Sequence, residues 1–338
     1  MRTIAADCTQ ELRLGHHSFF AVSGSIGSSR TGKWACNGRH LDAPPEPKKS
    51  GAVAEYADSG AMRARIRSAL AVACVMAVMA VAAAVVHAQL WRGGYGFYGV
   101  PKHPTSTTFA GAFNHCRLMF MSDHREKRGW STDYPGADIN FSVRLGELTR
   151  TRITKDKTGD PDYITVSALE PALFMCPYIL VEDGGSARFS DEEVMKLREY
   201  LEKGGFLFVS DYWGTRAGEQ WDEEIGRILP PEQYPIRELP MTHPIWQMMY
   251  NVKEVRQMAS IQYWRRSGGG ISERGEDSSI VEVKSIADRH GRLMVVMVHN
   301  SDIPDGWERE AEDPQYFYKF SPDAYAVGIN VVLYALTH

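Results

Sequence analysis

The sequence predicts an α/β domain with a mostly parallel β-sheet, preceded by an export segment. Two observations carry the fold class. The first is a strand–helix–strand pattern. The apolar run Pro177-Tyr178-Ile179-Leu180-Val181-Glu182 is followed by a helix opened by Ser190-Asp191-Glu192-Glu193, a Gly204-Gly205 stop and a second apolar run, Phe206-Leu207-Phe208-Val209. Continuously apolar runs of this length belong to strands buried on both faces. Two strands joined through one helix lie parallel. The second observation is bulk: 338 residues with 43% hydrophobic and 24% charged content can bury a large core. A net charge of -4, with no Lys/Arg stripe in the body, gives no case for nucleic acid as a partner.

Residues 1–61 are rich in Gly, Ser, Ala and Pro and show little hydrophobic periodicity. They read as a disordered or mis-assigned extension. Met62, Arg63, Arg65 and Arg67 then precede an apolar run over 68–86, closed by Val86-His87-Ala88. A basic start, an apolar middle and a small residue at the end make a signal peptide over 62–88, with Met62 as the expected start. The run is also near the roughly 20 residues that span a bilayer. An inner-membrane anchor is therefore the alternative to cleavage, and the only membrane contact expected. Either way the arginines keep the N-terminal end in the cytoplasm and the body is exported, to the periplasm or beyond. Of five cysteines, only Cys116 and Cys176 fall in that body. One disulfide or two buried thiols fit equally.

Residues 89–109 read as a Gly/Tyr/Pro linker, and 110–338 as the α/β domain. Cys116 to Met121 is a first strand. A helix from Asp138, read as its N-cap, runs to Leu148. Ile164-Thr165-Val166 is a short strand. Ser190 and Glu193 form a capping box, and Val194, Leu197 and Leu201 give the helix its apolar stripe. A helix around 221–229 ends at Pro230-Pro231. Residues 280–286 and 293–298 form a hairpin at the sheet edge. A last helix near 322–336 carries Tyr325, Ile329, Val332, Leu333 and Leu336 on one side.

In open α/β sheets, ligands bind beyond the carboxyl ends of the strands. Those ends are polar here: Asp133, Asp138 and Asn140 after the first strand; Glu182 and Asp183; Asp211 and Trp213; His299, Asn300, Asp302, Asp305 and Glu308 after the last. The binding candidates are Trp130, Asp133, Asp138, Asn140, Asp211, Trp213, His243, Asn300 and Asp302. Asp211 and Asp133 are the candidates for a catalytic base or metal ligand. Carboxylates converging from separate loops suit a divalent cation or acid–base work. Aromatics beside them suit a sugar. Each has a plainer role as well: Asp138 as a cap, Asp133 as a turn residue before Tyr134-Pro135, Asp211 binding its own turn, and His243 before Pro244 as a structural group. Phosphate-binding and dinucleotide glycine motifs are absent, and so is a Gly-flanked nucleophile elbow: Ser210 stands between Val209 and Asp211.

Several stretches together resemble the bacterial DUF4159 family of unknown function. They are Trp130-Ser131-Thr132-Asp133-Tyr134-Pro135-Gly136-Ala137-Asp138-Ile139-Asn140, Arg144-Leu145 with Glu147-Leu148-Thr149, Gly204-Gly205-Phe206-Leu207 leading to Asp211-Tyr212-Trp213-Gly214, His243-Pro244-Ile245, and Gly328-Ile329-Asn330-Val331-Val332-Leu333-Tyr334-Ala335-Leu336-Thr337. The resemblance covers about 110–338. It implies a flavodoxin-like three-layer sandwich of the class I glutamine amidotransferase type, and it brings no catalytic residues. A glutaminase triad has no match, since Cys176 opens a strand rather than following one. The function expected is an exported ligand-binding or assembly module of the cell envelope, with an envelope protein, carbohydrate or peptide as partner. A carboxylate- or metal-dependent hydrolase of carbohydrate or peptide is the alternative.

Overall fold

A computed structural model describes residues 100–105, 108–123 and 129–338, with isolated positions at 67, 69, 70 and 76. The expected extension, nearly all of the signal segment and most of the linker lie outside these residues. Among the described residues, no helix is long and apolar enough to cross a membrane.

The main sheet has seven strands in the order β3-β1-β4-β6-β9-β8-β7. They are β1 (His115–Met119), β3 (Tyr163–Ser167), β4 (Ile179–Glu182), β6 (Leu207–Tyr212), β7 (Arg237–Glu238), β8 (Glu282–Ala287) and β9 (Leu293–His299). Strands β3, β1, β4, β6 and β9 are mutually parallel, and β8 and β7 close the edge antiparallel. A two-stranded ribbon, β2 (Met121–Ser122) with β5 (Ala187–Arg188), stands apart. Taken in chain order, the five parallel strands lie 2-1-3-4-5, the flavodoxin-like order, whose direction of winding reverses between the first and third. That switch point lies between β1 and β4.

Alternation sorts the apolar side chains to two faces. Leu180, Phe206, Phe208, Val296 and Val298 meet helices α1 (Gly136–Leu148) and α6 (Pro314–Thr337) on one side. Ile179, Val181, Leu207, Val209, Val295 and Met297 meet α2 (Asp191–Glu202) and α3 (Gly214–Ile228) on the other. The product is a three-layer sandwich. Short helices α4 (Ile261–Arg266) and α5 (Asp305–Glu308) lie in the connections around β8 and β9.

Local chemistry explains most helix ends. Both arms of the capping box of α2 are made: Ser190 Oγ accepts from Glu193 N at 3.2 Å and Glu193 Oε2 from Ser190 N at 2.8 Å. The last helix begins earlier than its apolar stripe suggests, because Asp313 caps it through Gln315 N and Tyr316 N with Pro314 in the first turn. Pro322 is tolerated inside it. Helix α3 also begins earlier than expected, at Gly214, whose left-handed φ of 77° lets the chain turn out of β6. The cap of α1 corrects the sequence reading. Pro135 is the N-cap and makes no side-chain bond, while Asp138 lies inside the first turn, fully buried. Its carboxylate faces an arginine rather than its own helix's amides.

The closing motif is a packing device. A Cβ at Gly328 would lie 2.4 Å from Trp307 and 2.7 Å from Phe141, so α6 can approach α1 and α5 only with glycine there. Asn330 accepts from Met249 N and Tyr250 N and donates to Tyr250 O, tying α6 to the loop after His243.

Cys116 and Cys176 form a disulfide with Cα atoms 6.2 Å apart, which joins the start of β1 to the turn before β4.

Candidate functional site

The core of the site is a buried guanidinium. Arg117 lies on β1 with no exposed surface. Its Nη2 donates to Asp138 Oδ2 at 2.6 Å and its Nε to the same carboxylate at 3.1 Å. Its Nη1 donates to Glu182 Oε2, to Thr132 O at 2.8 Å and to Trp130 O at 3.2 Å. His115 Nδ1 lies 2.9 Å from Asp138 Oδ1. One side chain thus ties β1, the end of β4, the first turn of α1 and the 129–135 segment together at the switch point.

The segment so held presents Asp133 at a left-handed φ of 57°. Asp183 (51°) and Asn300 (62°) share this conformation where the chain leaves β4 and β9, and Asp211 (57°) adopts it at the irregularity just before the last residue of β6. Asx residues tolerate it best among non-glycines. Its recurrence at these strand ends turns each connection sharply onto one rim.

Carboxylates converge there. Asp133, Glu182 and Asp302 each bring one oxygen within 4.8 Å of the others, and Asp133, Asp305 and Glu308 do the same. Glu182, Asp302 and Asp305 are 1% exposed or less. Glu182 Oε1 and Asp133 Oδ2 are buried and have no hydrogen-bond partner among the described residues. Arg309 Nε lies 2.5 Å from Glu308 Oε2 and 3.9 Å from Asp305 Oδ1. The carboxyl groups here outnumber the two guanidiniums, Arg117 and Arg309.

A family model described as Domain of unknown function (DUF4159) matches residues 121–336. The chain belongs to the DUF4159 family. The match includes Asp133, Glu182, Asp302, Asp305 and Glu308 and begins just after β1, which carries Arg117. No curated protein matches the chain.

The other residues singled out in the DUF4159 sequence divide by what they bond. Asn140 Nδ2 donates to Trp307 O at 2.9 Å and Glu308 O at 3.2 Å, so it positions the turn of α5. Asp302 Oδ1 accepts from Asp305 N at 3.0 Å. Asn300 clasps Gly214 N and Ile280 O, both at 2.8 Å. Trp213 Nε1 donates to Asp211 Oδ1 at 2.9 Å. Trp130 packs edge-on against Tyr134 with ring centroids 5.4 Å apart. His243 Nδ1 accepts from Ile245 N, and its ring lies 5.9 Å from Tyr334. Tyr334 OH in turn meets Leu293 N at the start of β9, so His243 is at the opposite end of the sheet from the rim. Among the proposed side chains, the rim therefore gathers Asp133 and Asp302, with Asp138 behind them and Asp211 close enough for its charge to act on Glu182, and adds Arg117, Glu182, Asp305, Glu308 and Arg309. An arginine inside the apolar run 116–121 was the one local signal for Arg117, because a charge in a buried strand requires a partner.

Electrostatics divide these acids into two kinds. Burial would raise Asp138, but Arg117 and His115 outweigh it and hold the carboxyl at about 2. Burial and the charge of Asp133 push Asp305 up to about 8. Burial, with the charges of Asp133 and Asp211, pushes Glu182 well above the ordinary range against the pull of Arg117. Burial and Asp133 do the same to Glu308. A carboxyl with a raised folded pKa gives stability that is complete below its unfolded pKa and is lost as pH rises through the folded value. Asp138, with a lowered pKa, gives stability present above its unfolded pKa and lost as pH falls towards the folded value. In chelator-treated protein, stability should peak near about pH 4–5. It should fall below that as Asp138 takes a proton, and fall again as pH rises and the raised acids give theirs up, Asp305 near about pH 8. Urea midpoints across this range measure it. Asp305→Asn should flatten the alkaline limb, and an unchanged limb would show that Asp305 is not among the groups responsible.

Proposed function

We propose that this DUF4159 chain is an exported envelope protein whose α/β domain binds a positively charged ligand at the strand-end rim. The observation that carries the reading is the cluster of Asp133, Glu182, Asp302, Asp305 and Glu308 at the switch point, incompletely balanced by Arg117 and Arg309. Buried carboxylates must be paired, protonated or bound to a cation. A rim of carboxyls that can give up their protons to a bound cation selects cations over anions. An envelope carbohydrate or peptide fits it through an amine at Asp133, which is only partly buried, or through a bound cation. The Cys116–Cys176 bond supports an oxidising compartment, and hence export. It also ties up both cysteines of the domain, which supports a reading without glutaminase chemistry.

A second reading, a hydrolase, draws on Asp305 and Glu308, whose raised pKa values beside Asp133 are what a general acid needs. Burial weighs against it: at 1% exposure or less, Glu182, Asp302 and Asp305 are closed to a scissile bond in this conformation.

The test is a melting-temperature screen of the purified chain against divalent metal chlorides, spermine, glucosamine and amine-bearing peptidoglycan fragments. Acetylated fragments lacking the charge serve as controls. The expected result is stabilisation by at least one cationic compound, abolished by Asp133→Asn and retained in Glu232→Gln, a change at an exposed residue. Equal response to neutral and cationic compounds would overturn the reading.

A further inference from the structure

We infer that Asp133, Glu182 and Asp302 form a seat for one hard divalent metal cation of the calcium or magnesium class, and that the adjoining Asp133–Asp305–Glu308 group does not form a second. The inference rests on the cationic-rim reading and names the ligand of that same site.

The donor set is all carboxylate oxygen, which suits hard cations and not the soft metals that prefer thiolate or imidazole. The three oxygens lie within 4.8 Å of one another, about the span across one ion at metal–oxygen distances of roughly 2.1–2.6 Å. Acidic residues alone can cluster for other reasons, but here one of them is built and left incomplete. Glu182 is fully buried and its Oε2 is taken by Arg117, yet its Oε1 has no partner. The salt bridge to Arg117 thereby fixes the carboxyl that lies within 4.8 Å of Asp133 and Asp302. Asp302 is fixed from behind, its Oδ1 accepting from Asp305 N and its backbone N donating to Met258 O at 2.8 Å. Asp133 brings a second unpartnered oxygen, Oδ2, on a backbone held in the left-handed region.

The neighbouring group has the same three-carboxylate form and a different occupant. Arg309 Nε lies 2.5 Å from Glu308 Oε2. Asp305 Oδ2 already accepts from Tyr316 OH at 2.7 Å and Ile261 N at 2.8 Å. The Arg309 guanidinium is ion-paired with Glu308 and lies 3.9 Å from Asp305, so a dication in this group would meet like charge. Asp133 is shared between the two groups, so its charge serves one metal ion on one side and Arg309 on the other.

The experiment is calorimetric titration of CaCl2, MgCl2 and MnCl2 into chelator-stripped protein, with melting temperatures recorded in parallel. The expected result is one ion per chain for at least one of these salts. Glu182→Gln and Asp133→Asn should each weaken binding about tenfold or more, and Glu308→Gln should keep one ion per chain. If Glu182→Gln does not fold, Asp133→Asn decides the matter, because Asp133 lies only partly buried at the rim. Two ions per chain would overturn the single seat. So would unchanged affinity in folded Glu182→Gln or Asp133→Asn. No binding of any of the three salts, with a spermine shift that Asp133→Asn abolishes, would overturn the metal seat and leave the cationic-rim reading standing. No binding of metals or amines would overturn both.

Discussion

Replacing Arg117 with methionine should destabilise the domain by about 3–5 kcal/mol, the usual consequence of removing one partner of a buried ion pair. The guanidinium is unexposed and meets two carboxylates and two carbonyl oxygens. Its burial would disfavour the charged form, but Asp138 and Glu182 more than compensate and hold its pKa above the ordinary value. Without it, Asp138 would keep only His115 beside a fully buried carboxylate. The carbonyls of Trp130 and Thr132 would lose the donor that holds their segment against β1. Against a typical total of about 5–15 kcal/mol, this removes a large part of the stability. Arg117→Lys should fall in between, because an ammonium keeps the charge but cannot fork across Asp138 while also reaching Glu182 and the two carbonyls. Adding Asp138→Leu to Arg117→Met should recover part of the loss, since an apolar pair of similar volume removes the stranded charge. Urea midpoints at neutral pH for the single and double variants test all three statements. A loss below about 1 kcal/mol in Arg117→Met would mean that water or a shifted proton satisfies Asp138, and that the ion pair does not organise the rim.

The same residue shows what could be read in the sequence and what could not. The β4–α2–β6 unit was legible because each part is specified locally: two apolar runs, a reciprocal cap at Ser190 and Glu193, and a Gly204-Gly205 stop with Gly204 at a φ of 106°. Helix α3 was legible only from its middle, since Trp213 caps it with no side-chain bond and nothing local announces Gly214 as its start. Asp138 misled because an aspartate before a helical stripe normally caps; Arg117, distant in sequence, decides its role instead. The acids at the strand ends were visible individually, as was the rule that places ligands there. Their convergence was not, because it depends on the 2-1-3-4-5 strand order and on left-handed turns at Asp133 and Asp183, which tertiary contacts hold. Gly129 N, for example, donates to Asp183 Oδ2 at 3.0 Å across two loops. Residues such as Asn140 and Asn300 have the composition of a binding site, yet both bond backbone, and only the fold distinguishes a side chain that clasps a turn from one that faces a ligand.

The Cys116–Cys176 bond should contribute about 4 kcal/mol, from the chain-entropy relation applied to its sequence separation of 60 residues. Its placement makes that constraint count. Cys116 is in β1 next to Arg117, and Cys176 precedes β4, which carries Glu182. The bond therefore ties together in the unfolded chain the two strands that flank the switch point. Both cysteines are 1% exposed or less, so a reductant should act slowly on the folded protein and quickly once it opens. Cys116→Ala/Cys176→Ala should show a urea midpoint lowered by the equivalent of about 4 kcal/mol and insensitive to dithiothreitol, whereas the wild-type midpoint should fall towards it when unfolding is followed under reducing conditions. Equal midpoints for wild type with and without reductant would show that the bond does not form in solution, and would remove the support it lends to export. If the shift is found, chain made in a reducing compartment starts with this deficit. Because the same two strands hold Arg117 and Glu182, the order of the rim would then depend on oxidation of this pair, and cation binding measured on reduced and oxidised protein should differ in the same direction as their stabilities.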